Sequence, residues 1–397
     1  MNRFAVACTL STFLLSAPLF AQSDTALLLR NVSGTTANPG TQPAHVISEH
    51  GAWTFFHSFD AHVTYVSETG PEEQRDEVFS TNYLTAGVQR TLGSRGVLIL
   101  RGRVSAEPFT IPDDDGYPQL LQYVSFESGG QLVDRMRAHD LIGEAAAQLA
   151  FRTSTNSYLH VYAAAVGDPA LGAAPYQVRA SSIDFAEAPY GYDIQEFFHD
   201  STSVITAGFT SNFFSIEGSV FHDAVTTGDH TEIDDGDIDS RSARLTITPS
   251  RNVAFQISRG ELGDEPEQRT VTSASISWTG GASAVTAMYT RREDTEDGPA
   301  YDAFGFELAL RASKNTFLAR VENVDRPTGL FRDVTPSITP ERTTHFTVGY
   351  IFDVLNHRSW RAGAGANIDY HTNTHDLSER YGHKPQAIYA FVRIRTN

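Results

Sequence analysis

The sequence is short of several things at once. It holds one cysteine, Cys8, in 397 residues, which excludes a disulfide framework and a cysteine-based metal site. Lysine occurs only as Lys314 and Lys384, so nearly all positive charge is arginine. Basic residues number 30 against 48 acidic, a formal net charge of -18, with no basic patch; a nucleic-acid partner is not expected. After residue 21 no run of about 18 apolar residues occurs, so no transmembrane helix is expected. GxSxG, HExxH and phosphate-loop motifs are missing, and the reading is of a non-enzyme with no catalytic residue and no cofactor. At 40% hydrophobic and 11% aromatic, the chain is nevertheless rich enough in apolar residues to fold.

The first residues speak to location. Met1-Asn2-Arg3 is a short positive stretch, followed by an apolar run from Phe4 to Phe20 and the small Ala21. That build predicts a secretory signal peptide over 1–21, hence export to the Gram-negative envelope. Residues 22–50 fit no strand, because Gly34, Pro39, Gly40 and Pro43 break the chain; they are expected to form a periplasmic lead-in or a small plug. The remainder, 51–397, reads as one unit.

Within that unit the pattern has period two, many times over. From Trp53 one alternate set reads Trp53, Phe55, His57, Phe59, Ala61, Val63, Tyr65; the other is mostly polar. Similar segments lie near 53–66, 82–91, 96–106, 140–152, 156–166, 201–211, 212–223 and 239–248. Eight more follow near 251–260, 268–279, 281–292, 301–312, 314–324, 342–353, 358–370 and 386–395. At about ten to fourteen residues they exceed a typical soluble strand of about 5–6 and suit a tilted bilayer crossing of about 9–11. The connections alternate between short turns and long loops, the longest being 107–139 and 167–200. The fold class predicted is all-β: a transmembrane antiparallel β-barrel of about 16 strands, with short periplasmic turns and long extracellular loops. A range of 14–18 strands follows if one hairpin is miscounted.

Parity then names the interior. Opposite the apolar face stand Arg101, Arg103, Glu144, Gln148, Glu217, Arg244, Glu307, Arg311, Arg320, Glu322, Arg393 and Arg395, candidates to line a pore. Arginine costs about 2–4 kcal/mol at the lipid-facing midplane, so these side chains belong inside. Pairing of opposite charges across the wall would hold the barrel's shape; a basic arc facing acidic loop residues would also filter solutes by charge. Loop 167–200 follows the fifth strand, a placement similar to that of the constriction loop in general diffusion porins. Its candidate constriction residues are Asp168, Arg179, Asp184, Glu187, Asp193 and Glu196. Loop 107–139 carries Asp113, Asp114, Asp115 and then the apolar patch Leu120, Leu121, Tyr123, Val124, Phe126, expected to pack into the lumen mouth. Asp235, Asp237 and Asp239 around Gly236 invite a calcium reading, but the spacing fails the EF-hand pattern.

Several stretches resemble an uncharacterised family of bacterial outer-membrane β-barrel proteins. They include Phe79-Ser80-Thr81-Asn82, Glu107-Pro108-Phe109-Thr110, Gly116 to Gln122, Val133-Asp134-Arg135, His139-Asp140-Leu141, Asp168 to Gly172 and His199 to Thr202. The resemblance implies a porin-like barrel and histidines near the ends of two strands. Arg137 and Ser203 stand here where histidine would be expected, which leaves His139, Asp140, His199 and Asp200 as the residues for a metal.

The resulting expectation is a porin-like channel for passive diffusion of small hydrophilic solutes. Its partners would be outer-membrane lipid and lipopolysaccharide, and self-association is compatible with the pattern. A plugged structural or metal-handling barrel is the second reading, and a surface hydrolase the third.

Overall fold

In a computed structural model the described residues are 27–41, 45–69, 75–112, 116–125, 131–224, 228–234, 236–264, 268–294, 298–327, 340–372 and 377–397. The signal peptide expected over 1–21, Asp113 to Asp115, Phe126 and Asp235 lie outside them.

Sixteen long strands close into one antiparallel barrel. The first five are β4 (Trp53–Thr69), β5 (Asp76–Leu92), β6 (Gly96–Val104), β9 (Ile142–Ser154) and β10 (Ser157–Val166). Then come β11 (Thr202–Ser211), β12 (Phe214–His222), β13 (Ser240–Ser250), β14 (Val253–Leu262) and β15 (Arg269–Gly280). The circle is completed by β16 (Ser283–Asp294), β17 (Ala300–Ala312), β18 (Asn315–Pro327), β19 (Pro340–Asn356), β20 (Trp360–Thr372) and β21 (Gln386–Thr396). Strand β21 pairs with β4 from Arg395 opposite Asp60 to Gln386 opposite Thr69, which closes the ring. Where β21 ends, the short β3 (Val46–His50) takes over the same edge of β4, His50 opposite Trp53. No edge of β4 is left open, as a bilayer requires. The sixteen segments of period two correspond one for one to these strands.

The wall is inverted relative to a soluble protein. Side chains such as Val63, Leu149, Leu159, Ile216, Ile257, Phe317 and Val348 point outward and are exposed, while buried polar and charged residues alternate with them. Apolar outside and polar inside is the arrangement a lipid-embedded barrel needs. Trp53, Trp278 and Trp360 all sit beside the short turns, at one rim, where aromatic residues suit the interface between lipid and water. Among the described residues no helix is long and apolar enough to cross a membrane.

Three segments turn inward. Residues 27–41 enter from the short-turn end, with Leu27, Leu28 and Leu29 packed on Phe56, Val97, Ile99, Ala150 and Tyr158. They continue as a tight hairpin of β1 (Asn31–Ser33) and β2 (Thr36–Ala37) turning at Gly34, whose φ of +51° favours glycine. At the long-loop end, β7 (Tyr117–Ser125) and β8 (Gln131–Met136) form a second hairpin. Its Leu120, Leu121 and Tyr123 pack on Leu377 and Tyr381 of the last long loop. Between them lies loop 167–200, almost wholly buried. Phe185 and Ala186 pack on Ala309, Leu318, Ile351 and Phe391 of the far wall.

Candidate functional site: the barrel lumen

The twelve wall residues picked out by parity all have buried side chains inside the barrel. They fall into two groups by what holds them. Around the N-terminal segment, Glu144 accepts from Arg101 at 2.8 Å, from the Tyr162 hydroxyl at 2.7 Å and from the Gly34 amide at 3.1 Å. Arg101 donates onward to the carbonyls of Asn31, at 3.0 Å, and Gly34; Arg103 donates to that of Val32 at 3.0 Å. Arg244 pairs with Glu217 at 3.0 Å and donates to the hydroxyls of Thr35, at 3.0 Å, and Thr36. A Cβ at Gly34 would collide with Asp168, so the tip of the hairpin is pressed against the loop.

Around loop 167–200 the contacts are mostly ionic. Arg179 bridges Glu307 and Glu196, each at 2.8 Å, and Ser181 donates to Glu307 at 2.8 Å. Asp184 receives Arg311 at 2.6 Å, Arg395 at 2.8 Å, and Arg393. Burial opposes ionisation of Asp184, but the three arginines outweigh it and hold the carboxyl well below its ordinary range. Arg320 donates to the Ser182 hydroxyl at 2.8 Å, approaches Glu307 at 3.5 Å and Glu187 at 3.8 Å, and lies over the Phe185 ring. Glu322 accepts from the backbone amides of Tyr190 and Gly191 at 3.0 and 2.9 Å. Asp193 pairs with Arg326, and Glu196 also accepts from the Tyr176 amide at 2.8 Å.

Five of the six loop candidates and the wall charges are therefore brought together and turned to one another and not onto an open bore; Asp168 lies against His199 instead. Arg326 and Arg292, which grips the Asp193 carbonyl at 2.6 Å, were not anticipated. Arg326 shares the parity of Arg320 and Glu322; placing the strand end at 324 instead of Pro327 hid it.

The space left is small and unevenly spread. A cavity of about 200 Å³ lies at the short-turn end, between residues 32–41, the loop and the wall. Toward the long-loop end two niches of about 20 Å³ each remain. Tyr83 lines all three voids.

The residues considered for a metal line one of those niches together. Each has its own partner: His139 Nδ1 meets Glu107 at 2.7 Å, Asp140 meets His230 at 2.8 Å, His199 meets Asp168 at 3.5 Å, and Asp200 takes Arg137. Burial opposes protonation of His139, yet Glu107 prevails and raises its pKa. Among the described residues no three His, Cys, Asp or Glu side chains gather as a metal site. Arg137, standing where the resemblance would put histidine, donates to the Asp200 carboxylate and to the Tyr192 hydroxyl oxygen, the latter at 3.1 Å.

The stretches that carry the resemblance meet one another at this end. Glu107 accepts from the amides of Asn82 and His139 at 3.2 and 2.8 Å, and Thr110 donates to the Ser80 carbonyl at 2.8 Å. Asp134 accepts from the Leu121 amide at 2.8 Å. They are the anchors by which the loops are fixed to the wall.

No family model and no curated protein matches the chain. Solved structures do match its fold. A Salmonella typhi OmpF in complex with daunomycin superposes with a TM-score of 0.53 at 10% identity, covering 88% of this chain and 100% of that one. A loop-deletion mutant of OmpT, an outer-membrane protein of Vibrio cholerae, gives 0.51 at 12%, covering 87% and 99%. An anion-selective porin from Comamonas acidovorans gives 0.50 at 11%, covering 86% and 99%. At these identities the likeness is one of fold: the chain has the sixteen-stranded architecture of outer-membrane porins.

Proposed function

We propose that the protein is an outer-membrane, porin-like barrel giving small hydrophilic solutes a passive route, and that this route is held narrow by its own inward-turned segments. The observation that carries the reading is the interior: charged and polar side chains on every strand pair, with voids on both sides of a single side chain, Tyr83. In this arrangement the lumen is a series of separate voids, about 200 Å³ at the short-turn end and about 20 Å³ each beyond Tyr83, the smaller ones about enough for one water. Arg101, Arg103, Glu144, Glu217 and Arg244 would line a wider bore without residues 27–41 in the lumen. The domain plan follows: a cleaved signal peptide over 1–21, a plug within 22–50 and the barrel beyond. Outer-membrane lipid and lipopolysaccharide surround it, and association of identical chains through the apolar outer face fits the same fold.

Single-channel conductance of the refolded mature protein in a planar bilayer tests this. Small, stable steps that enlarge on removal of 22–41 are expected. Silence from both proteins, each migrating as a heat-modifiable barrel, would sink the reading.

A permanently plugged, structural barrel is the second reading, and one observation favours it. Loop 167–200 is tied to three different strands through Glu307, Arg311, Arg320, Arg326 and Arg393, a density of ionic contacts that opposes motion.

A further inference from the structure

We infer that the 200 Å³ cavity at the periplasmic end of the lumen is a binding site for a small, multiply charged oxyanion, such as inorganic phosphate or a short dicarboxylate. The charged side chains that line it are Arg311, Arg361 and Arg395, and among the described residues no Asp or Glu side chain lines it with them. His45, the imidazole on its surface, is lowered to about 4 by burial and then by Arg101, so at neutral pH it is an uncharged hydrogen-bonding group.

The carboxylates stand behind the arginines, not in front of them. Asp184 is spent on Arg311, Arg393 and Arg395. Asp353 takes Arg393 at 2.6 Å and is only within 3.6 Å of Arg361. Asp60, opposite Arg395 in register, turns to His62 at 2.9 Å. Four guanidiniums thus face three side-chain carboxylates, one of which has another partner. In a chain of net charge -18 this excess runs against the composition.

The arginines also differ in how much of each fork is used. Arg311 is engaged at all three nitrogens, with Nε on Asp184 and its terminal nitrogens on the carbonyls of Ala282 and Ala180. Arg395 meets Asp184 through Nε, and Arg361 uses Nε on the Asn397 side-chain oxygen at 2.7 Å. The Arg361 side chain is the most accessible of the four at 16%, against 3%, 0% and 9% for Arg311, Arg393 and Arg395. Planar guanidinium forks match paired oxygens of phosphate and carboxylate, which a lysine point charge would not. Asn38, Thr41, Ser58 and Thr396 add neutral polar groups around the void. Outside its rim, Arg251 donates to the Gly40 carbonyl and Arg30 lies against Gly40, extending the positive field toward the entrance.

The inference does not depend on conduction, since an anion can occupy the cavity of a barrel that never opens. It is tested on the refolded mature protein in detergent by calorimetric titration with inorganic phosphate and, separately, succinate. Ionic strength is held constant with sodium chloride. Saturable one-to-one binding of either is expected, with affinity falling roughly tenfold or more in Arg361→Gln and less in Arg361→Lys. A parallel readout needs no variant: phosphate or succinate should raise the thermal midpoint of the wild type where equal ionic strength of chloride does not. Absence of saturation by both anions overturns the site, as does equal binding by wild type and Arg361→Gln. Conductance without binding would sink the anion site alone, and binding without conductance would sink only the channel.

Discussion

Two segments fill the middle of this barrel, and they are held by different chemistry. Loop 167–200 offers charges to charges: Arg179 to Glu307, Asp184 to three arginines, Asp193 to Arg326. The N-terminal segment offers neutral groups, the carbonyls of Asn31, Val32 and Gly34 and the hydroxyls of Thr35 and Thr36, to arginines that already own a wall carboxylate. Taking the loop away would strand buried charges on both sides, at several kcal/mol each. Taking the N-terminal segment away leaves Arg101–Glu144 and Arg244–Glu217 intact and hands the remaining donors to water. The loop is built as part of the wall, and the N-terminal segment is built as something the wall can do without.

The sharpest way to break that comparison is to remove one charge from the loop. Asp184→Asn leaves Arg311, Arg393 and Arg395 buried around a neutral amide, and a loss of about 3–5 kcal/mol is expected. It should show as a lower urea midpoint or failure to reach the heat-modifiable form. An unchanged midpoint would mean that the loop's ion pairs are dispensable. Deleting 22–41 is the matching experiment on the other segment. The barrel should still fold, with a smaller drop in midpoint than Asp184→Asn, while the conductance step rises strongly. Should the deletion unfold the barrel instead, the asymmetry between the segments would be wrong.

The same asymmetry explains what could be read from sequence. All sixteen wall strands were legible because lipid outside and polar interior impose strict period two over each crossing; Phe304, Phe306, Leu308 and Leu310 face out while Glu307 and Arg311 face in. Boundaries slipped where polar residues continue the strand beyond the apolar band, as at β5, which starts at Asp76 and not at 82. The loop's charged residues were visible, but their partners were not, because Arg179 and Glu307 are 128 positions apart and periodicity carries no information across the lumen. The N-terminal contacts were hidden more deeply. They are made by backbone carbonyls and small hydroxyl residues, whose identity says nothing about an arginine waiting for them. The hairpin of 117–136 was foreseen only as an apolar patch in need of cover, since Pro118 and the strained Leu121 and Asp134 interrupt its alternation.

A gentler test acts on the passage beside both segments. Tyr83 is the side chain common to the three voids, so Tyr83→Ala should join them and enlarge the conductance step, by less than the deletion does. Liposome-swelling rates for small sugars give the same reading without electrodes. No change in either would place the restriction elsewhere, in the loop or in the hairpin mouth.

The smallest expected effect separates the two segments by pH. Glu187, on the loop, is pushed up to about 8 from 4.5, first by burial and then by the neighbouring Asp369 carboxylate, against the opposing pull of Arg320. The Asn367 amide donates to it at 2.7 Å. A carboxyl whose folded pKa lies above its unfolded value binds its proton more tightly in the folded state. Its contribution is therefore complete below about pH 4.5 and is lost as pH rises through about 8. The loop should loosen across that window, seen as a falling thermal midpoint that Glu187→Gln flattens. The contacts of Asn31, Val32, Gly34, Thr35 and Thr36 involve no group on the segment that titrates there, so hydrogen exchange at residues 31–37 should follow only the intrinsic pH dependence of the amides. Loosening of both segments together between pH 5 and 8 would show that the N-terminal hairpin is held through the loop, by the contact of Gly34 with Asp168, and not by the arginines of the wall.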